Sequence, residues 1–138
     1  MSGLPPGHQF SSLMTFLDGK VDVWEPGRIV MSLRLEQRHM NPGGRLHGAV
    51  IAALIDEAAG RSVASARGVD LAHEPHATIE MNISFLSSAG PGDEIVCEAK
   101  ALRVGRGFSF AEAEVRRRDE KLVAKGRATF AVVRPRPD

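Results

Sequence analysis

Two acids, Asp56 and Glu57, sit side by side in an otherwise apolar stretch, AVIAALIDEAAG, which follows the glycine-rich segment NPGGRLHG. A carboxylate carried into an apolar helix is costly unless it is paired, solvated in a cleft or put to chemical use. The small neighbours Ala52, Ala53, Ala59 and Gly60 leave room for a ligand beside Asp56. Asp56 can instead reach the surface or pair with Arg61 or a neighbouring subunit. Glu57 is the competing acid, about 100° around the helix, so the two cannot point the same way. Gly48 stands where the helix should begin. Its N–H has no intrahelical acceptor and lies at the positive end of the dipole, so it can stabilise a carbonyl oxygen as negative charge develops, or it simply permits a tight turn into the helix.

These groups need a helix to carry them. Ala, Leu and Ile dominate Ala49 to Ala59 on nearly all faces of a 3.6-residue turn, which describes a helix wrapped by other structure. From His47 to Ser65 it would be about 28 Å long and form the axis of the fold. Asp56, Glu57 and Arg61 interrupt the run, which excludes a membrane span. The 138 residues are expected to form a single domain, with residues 1–8 and 134–138 as flexible ends. Eighteen basic against 17 acidic residues favour neither nucleic acid nor an acidic membrane as partner, and point to a small molecule. A lone cysteine, Cys97, and an N-terminus without a secretory pattern point to a reducing, cytoplasmic setting.

Along the chain, Phe10, Leu13, Met14 and Leu17 make the apolar stripe of a short helix. Val21 to Trp24 and Arg28 to Leu35 flank Glu-Pro-Gly and read as a hairpin. After the long helix, Ala77 to Leu86 alternates, with Ala77, Ile79, Met81, Ile83 and Phe85 on one side and Thr78, Glu80, Asn82 and Ser84 on the other. That pattern predicts a half-exposed strand whose polar row, Thr78 included, faces solvent or another subunit. Strands over Glu94 to Val104, Phe108 to Arg117 and Leu122 to Val133 follow, separated by turn residues. The order predicts an α+β domain: a curved antiparallel sheet, ending in a four-strand meander, wrapped around one long central helix.

Taken together, Asn41, Gly44, His47-Gly48, Leu54, Asp56, Thr78, Met81-Asn82-Ile83, Gly92-Asp93, Gly105-Arg106 and a final strand over Ala124 to Phe130 resemble the hotdog-fold acyl-CoA thioesterases of the PaaI-like, phenylacetate-pathway type. The resemblance runs from about Asn41 to Val133 and implies hydrolysis of aryl or medium-chain acyl-CoA to free acid and coenzyme A. It makes Asp56 the catalytic carboxylate, as general base or nucleophile, and Gly48 the donor to the thioester carbonyl. Thr78 and Asn41 hold water or substrate, and His47 supports the loop and helix start. Two positions depart from the pattern: Ala49 stands where a second glycine often follows, and Gly60 where some relatives carry a hydroxyl.

Gly48 and Asp56 are eight residues apart, about 12 Å along one helix axis, too far to touch the same thioester carbon. If both act, a second copy must present its helix antiparallel to the first, as in an isologous dimer. The resemblance implies the same arrangement, with Asn41 and Gly48 from one chain and Asp56 and Thr78 from the other, and dimers paired into a homotetramer. Arg103 and Arg106 flank a glycine turn and can meet coenzyme A phosphates or simply be solvated; Arg116 to Arg118 form a weaker candidate of the same kind. His73 and His76 lack a thiolate or third ligand and read as loop histidines, so no metal is expected. No cofactor is expected either, coenzyme A being part of the substrate. The alternative function is a non-catalytic acyl-CoA-sensing module; a hydratase would need a His/Asp or His/Glu pair at a different spacing.

Overall fold

In the computed structural model, which describes residues 3–6 and 8–133, the chain runs α1 (Ser12–Leu17), β1 (Lys20–Glu25), β2 (Arg28–Arg34), a 3-10 turn (Gln37–His39), α2 (Gly48–Arg67), β3 (His76–Phe85), β4 (Glu94–Val104), β5 (Phe108–Arg117) and β6 (Leu122–Val132). The flexible ends expected from the sequence fall in large part on residues 1, 2, 7 and 134–138, which lie outside the described residues.

The long helix forms where the apolar run demands it. His47 caps it by accepting the Ala49 N–H on Nδ1 at 3.0 Å, and Gly68 ends it in the left-handed region at φ 72°. Leu54, Ile55, Ala58, Ala59 and Val63 are fully buried, and α2 packs against all six strands, chiefly β4 and β5. Ile95, Cys97 and Ala99 of β4 alternate into this core as their sequence pattern predicts. Pro26-Gly27, with Gly27 at φ 79°, turns β1 into β2, and Ile29, Met31, Leu33 and Leu35 are buried. In α1 the stripe is narrower than expected. Met14 and Leu17 are buried, but Leu13 is 55% exposed, because a six-residue helix seats only one side on the core.

All pairings are antiparallel in one six-stranded sheet of order β1-β2-β4-β5-β6-β3, which corrects the expected four-strand meander. Of the four strands after α2, only β4, β5 and β6 are consecutive neighbours. The segment after β3 does not reverse as a hairpin; its backbone groups bond elsewhere. Ala89 accepts the Leu46 N–H at 3.0 Å, Asp93 accepts the Leu35 N–H at 2.8 Å, and Gly92 donates to Leu35 at 2.9 Å. These bonds carry the chain past the start of α2 to β2, and β4 pairs there, leaving β3 at the far edge beside β6.

The second correction concerns the faces of β3. Thr78 pairs with Phe130, but the next pair is Glu80 with Thr129, so Ile79 is an extra residue in a bulge. One inserted residue reverses the alternation. Thr78 therefore shares the helix side with Met81, Ile83 and Phe85, and only Glu80, Asn82 and Ser84 keep the outer row. Ile79 is 55% and Phe85 56% exposed, so the strand is not the half-buried one that the alternation suggests.

Cys97 is completely buried, and burial pushes its thiol up to about 12, with Glu98 adding to the shift. An aromatic disulfide reagent at pH 8 is therefore expected to leave the native protein unlabelled and to react with one thiol per chain after unfolding in guanidinium. Rapid labelling of native protein would contradict this packing.

Candidate active site

The bulge at Ile79 decides what Asp56 meets. Thr78, turned to the helix side, donates its hydroxyl to Asp56 Oδ1 at 2.6 Å. The carboxylate is half-buried at the wall of an open pocket of about 210 Å³ that Glu57, Gly60, Leu71, His76 and Phe130 complete. An ionised acid in such a place keeps access to water while one oxygen is fixed by a hydroxyl, which suits a general base or a nucleophile.

The neighbouring acid has a different environment. Glu57 accepts from Arg61 Nε at 2.6 Å and from Ser11 Oγ at 2.5 Å. Arg61 also donates to the Gln9 carbonyl at 2.6 Å and lies over the rings of Phe10 and Trp24, at 5.5 and 6.0 Å. Arg61 is thus committed to Glu57 and to the N-terminal segment, and the pairing with Asp56 that composition allowed does not form. Glu57 ties α1 to α2; it also borders the pocket, but its carboxylate is taken up by Arg61 and Ser11, which leaves Asp56 as the pocket acid without an ion pair among the described residues.

At the start of α2 a second group assembles. Asn41 Oδ1 accepts the N–H groups of Gly43 and Arg45 at 2.9 and 3.2 Å, so both lone pairs hold the loop and only its amide nitrogen remains to face a ligand. The Ala49 N–H bonds to His47 Nδ1 and the Val50 N–H to the His47 carbonyl at 3.0 Å, whereas the Gly48 N–H has no acceptor among the described residues. A Cβ on Gly48 would lie 3.4 Å from the Phe85 ring, so the glycine also lets that ring approach the helix start.

The sequence-predicted residues therefore fall into two sets, Asp56 with Thr78 and Asn41 with His47 and Gly48, which one chain does not bring together. Arg103 and Arg106 are exposed at the β4–β5 turn, near the other end of α2, where Arg67 donates to the Gly105 carbonyl at 2.5 Å and to Ser109 Oγ at 3.0 Å. Arg116, Arg117 and Arg118 are paired with Glu114, Asp119 and Glu94. Among the described residues no cluster of three or more His, Cys, Asp or Glu is placed to hold a metal ion, and no helix is long and apolar enough to cross a membrane.

His76 was read as a loop histidine; it is instead the first residue of β3 and lines the pocket. Its ring stacks on Phe130 with centroids 4.4 Å apart at 22°. Burial lowers its pKa, Asp56 opposes this and Arg67 adds to the lowering, so the surroundings favour the uncharged imidazole. A Cβ on Gly60 would stand 2.9 Å from His76 Nε2. The glycine four residues after the acid was the available signal: it marks where a ring presses on the helix.

A curved antiparallel sheet wrapped around one long helix defines the hotdog architecture. Residues 43–124 match the thioesterase superfamily, a span that includes Gly48, Asp56 and Thr78. A Caenorhabditis elegans relative is 33% identical over 111 residues, covering 80% of this chain and 63% of that protein. Human acyl-coenzyme A thioesterase 13 is 31% identical over 106 residues, covering 75% of this chain and 72% of that one. The Escherichia coli PaaI protein of the phenylacetic acid degradation operon shares the fold, with a TM-score of 0.81 over 90% of this chain and 86% of that chain at 18% identity. The chain belongs to the thioesterase superfamily, a class of thioester hydrolases.

The two acids should separate in a stability measurement. Glu57→Gln strands a nearly buried Arg61 and is expected to cost about 3 kcal/mol in urea unfolding. Asp56→Asn leaves Thr78 an acceptor and should cost under about 1 kcal/mol. Equal losses would show that both acids are structural.

Proposed function

We propose that the chain hydrolyses acyl-CoA thioesters, with aryl or medium-chain acyl groups, to a free acid and coenzyme A. The observation that carries this reading is a solvated carboxylate, Asp56, fixed by Thr78 at the wall of an open pocket on a thioesterase-superfamily fold. The Gly48 N–H, without a protein acceptor among the described residues, donates to the thioester carbonyl oxygen and stabilises it as charge develops. Asp56 either takes a proton from the attacking water or adds to the carbonyl carbon itself; in both routes the C–S bond breaks, the sulfur leaves as a thiolate and is protonated, and water supplies the oxygen of the acid. Thr78 holds the Asp56 carboxylate and the water, Asn41 orients the substrate through its amide nitrogen, and His47 fixes the first turn that presents Gly48. Arg103 and Arg106 are assigned to the coenzyme A phosphates.

Each site takes Asn41 and Gly48 from one chain and Asp56 and Thr78 from the other, in an isologous dimer. Support comes from β3, a ten-residue edge strand with Ile79, Met81 and Phe85 exposed along it, the kind of edge that proteins cover by pairing. Two such dimers form the proposed homotetramer, working in the cytoplasm without a cofactor, nucleic acid or membrane.

In a thiol-release assay across a panel of acyl-CoAs, Asp56→Asn is expected to lower kcat about 100- to 10,000-fold with an unchanged circular dichroism spectrum. Turnover at the parent rate would remove Asp56 from the reaction. Gly48→Pro deletes the amide at a helix position where proline is accommodated, and should be similarly inactive. Co-refolding the two inactive variants in equal amounts should restore about a quarter of parental activity, because half of the dimers are mixed and each holds one intact site. No recovery, or full activity in a monomer, refutes the shared site.

A further inference from the structure

His76 and Leu71 line two cavities. One is the Asp56 pocket of about 210 Å³; the other, of about 100 Å³, shares only these two side chains with it and is otherwise walled by Val69, Pro75 and Val132 with Arg67 and Glu74. The partition is held firmly. The His76 ring stacks face to face on Phe130, itself 2% exposed, and its Nε2 presses on the bare backbone of Gly60, where even a methyl group would be 2.9 Å away. Burial favours the uncharged ring, and its flat face is a surface against which an apolar chain can lie.

Resting on the thioesterase reading above, we propose that His76 is the specificity-determining residue of the pocket: its ring, with Leu71, is the wall at which the acyl group ends. The cavity behind it is the space that a longer chain enters once the wall is removed. Joining the two would make the pocket about half as large again, with Val69, Pro75 and Val132 as apolar wall on the added side and Arg67 and Glu74 as its polar part. The role belongs to the shape of the ring. His76 neither reaches the thioester nor carries a proton in the reaction.

The test is kcat/KM over straight-chain acyl-CoAs from butyryl to palmitoyl for the parent, His76→Ala and His76→Phe. In His76→Ala the preferred length is expected to rise by about two to three carbons, with about fourfold gained in KM per added methylene that becomes buried. His76→Phe restores a flat ring on Phe130 and should keep the parental ranking despite losing the imidazole. An unchanged ranking in a folded His76→Ala protein overturns the proposal, as does a uniform loss of kcat at every length in both variants, which would make the imidazole part of the chemistry. If the parent hydrolyses no thioester, calorimetric binding of free fatty acids of the same lengths replaces turnover: a shifted ranking in His76→Ala upholds the partition while the thioesterase reading falls, and an unshifted one overturns the partition.

Discussion

The candidate site depends on one extra residue in one strand. Without the bulge at Ile79, Thr78 would lie on the outer row with Glu80, Asn82 and Ser84, and Asp56 would have no hydroxyl donor from the sheet. An insertion in a strand disturbs the ladder locally and increases the twist, and it survives where something is gained by re-aiming a side chain. Here the gain is a 2.6 Å hydrogen bond that fixes one oxygen of a solvated carboxylate. His76, two residues before Thr78, stays on the helix side by the same alternation, so one bulge aims both residues at the same helical stretch, Asp56 to Gly60.

The same stretch shows how an apolar helix carries two consecutive acids. Their angular separation sends them to different surroundings, and each is compensated differently. Glu57 is nearly buried and needs a full ionic partner; Arg61, one turn on, supplies it and is itself held by the Gln9 carbonyl and two aromatic rings. Asp56 keeps access to water and needs only a neutral donor. A buried Arg beside Asp56 would offset its charge; the commitment of Arg61 to Glu57 prevents that, which is what the proposed chemistry of Asp56 needs.

Much of this was legible in the sequence because it is local. The apolar period placed α2, Gly27 placed the first turn, and the alternation of Ile95, Cys97 and Ala99 placed β4. The strand order was not legible, because the choice of β4 between β3 and β2 is made by backbone bonds that join Ala89, Gly92 and Asp93 to Leu46 and Leu35, far away in the chain. The bulge was hidden for a related reason. The run Ala77 to Phe85 alternates so regularly that nothing marks Ile79 as the residue to be excluded; the register with β6 decides it. For the site, the acid and the helix start were readable as types at a spacing. His76 was not: its three-residue spacing from His73 suggests only a loop or a metal pair, whereas its partners are Phe130 and Gly60.

The exposed edge of β3 and the separation along α2 bear on the same question from opposite sides. A helix is rigid along its axis, so no rearrangement within one chain can carry the Gly48 amide about 12 Å to the Asp56 carboxylate without unwinding the element on which the core packs. A second helix can do it, provided it runs antiparallel and is brought within reach by a two-fold axis. β3 lies at the sheet edge nearest both groups, with Phe85 against Gly48 at one end and Thr78 against Asp56 toward the other. Pairing that edge with its own copy about a two-fold axis satisfies its free backbone groups, covers Ile79 and Met81, and reverses the neighbouring helix in a single operation. The proposed shared site would then need only that one operation, and no contact designed for catalysis alone.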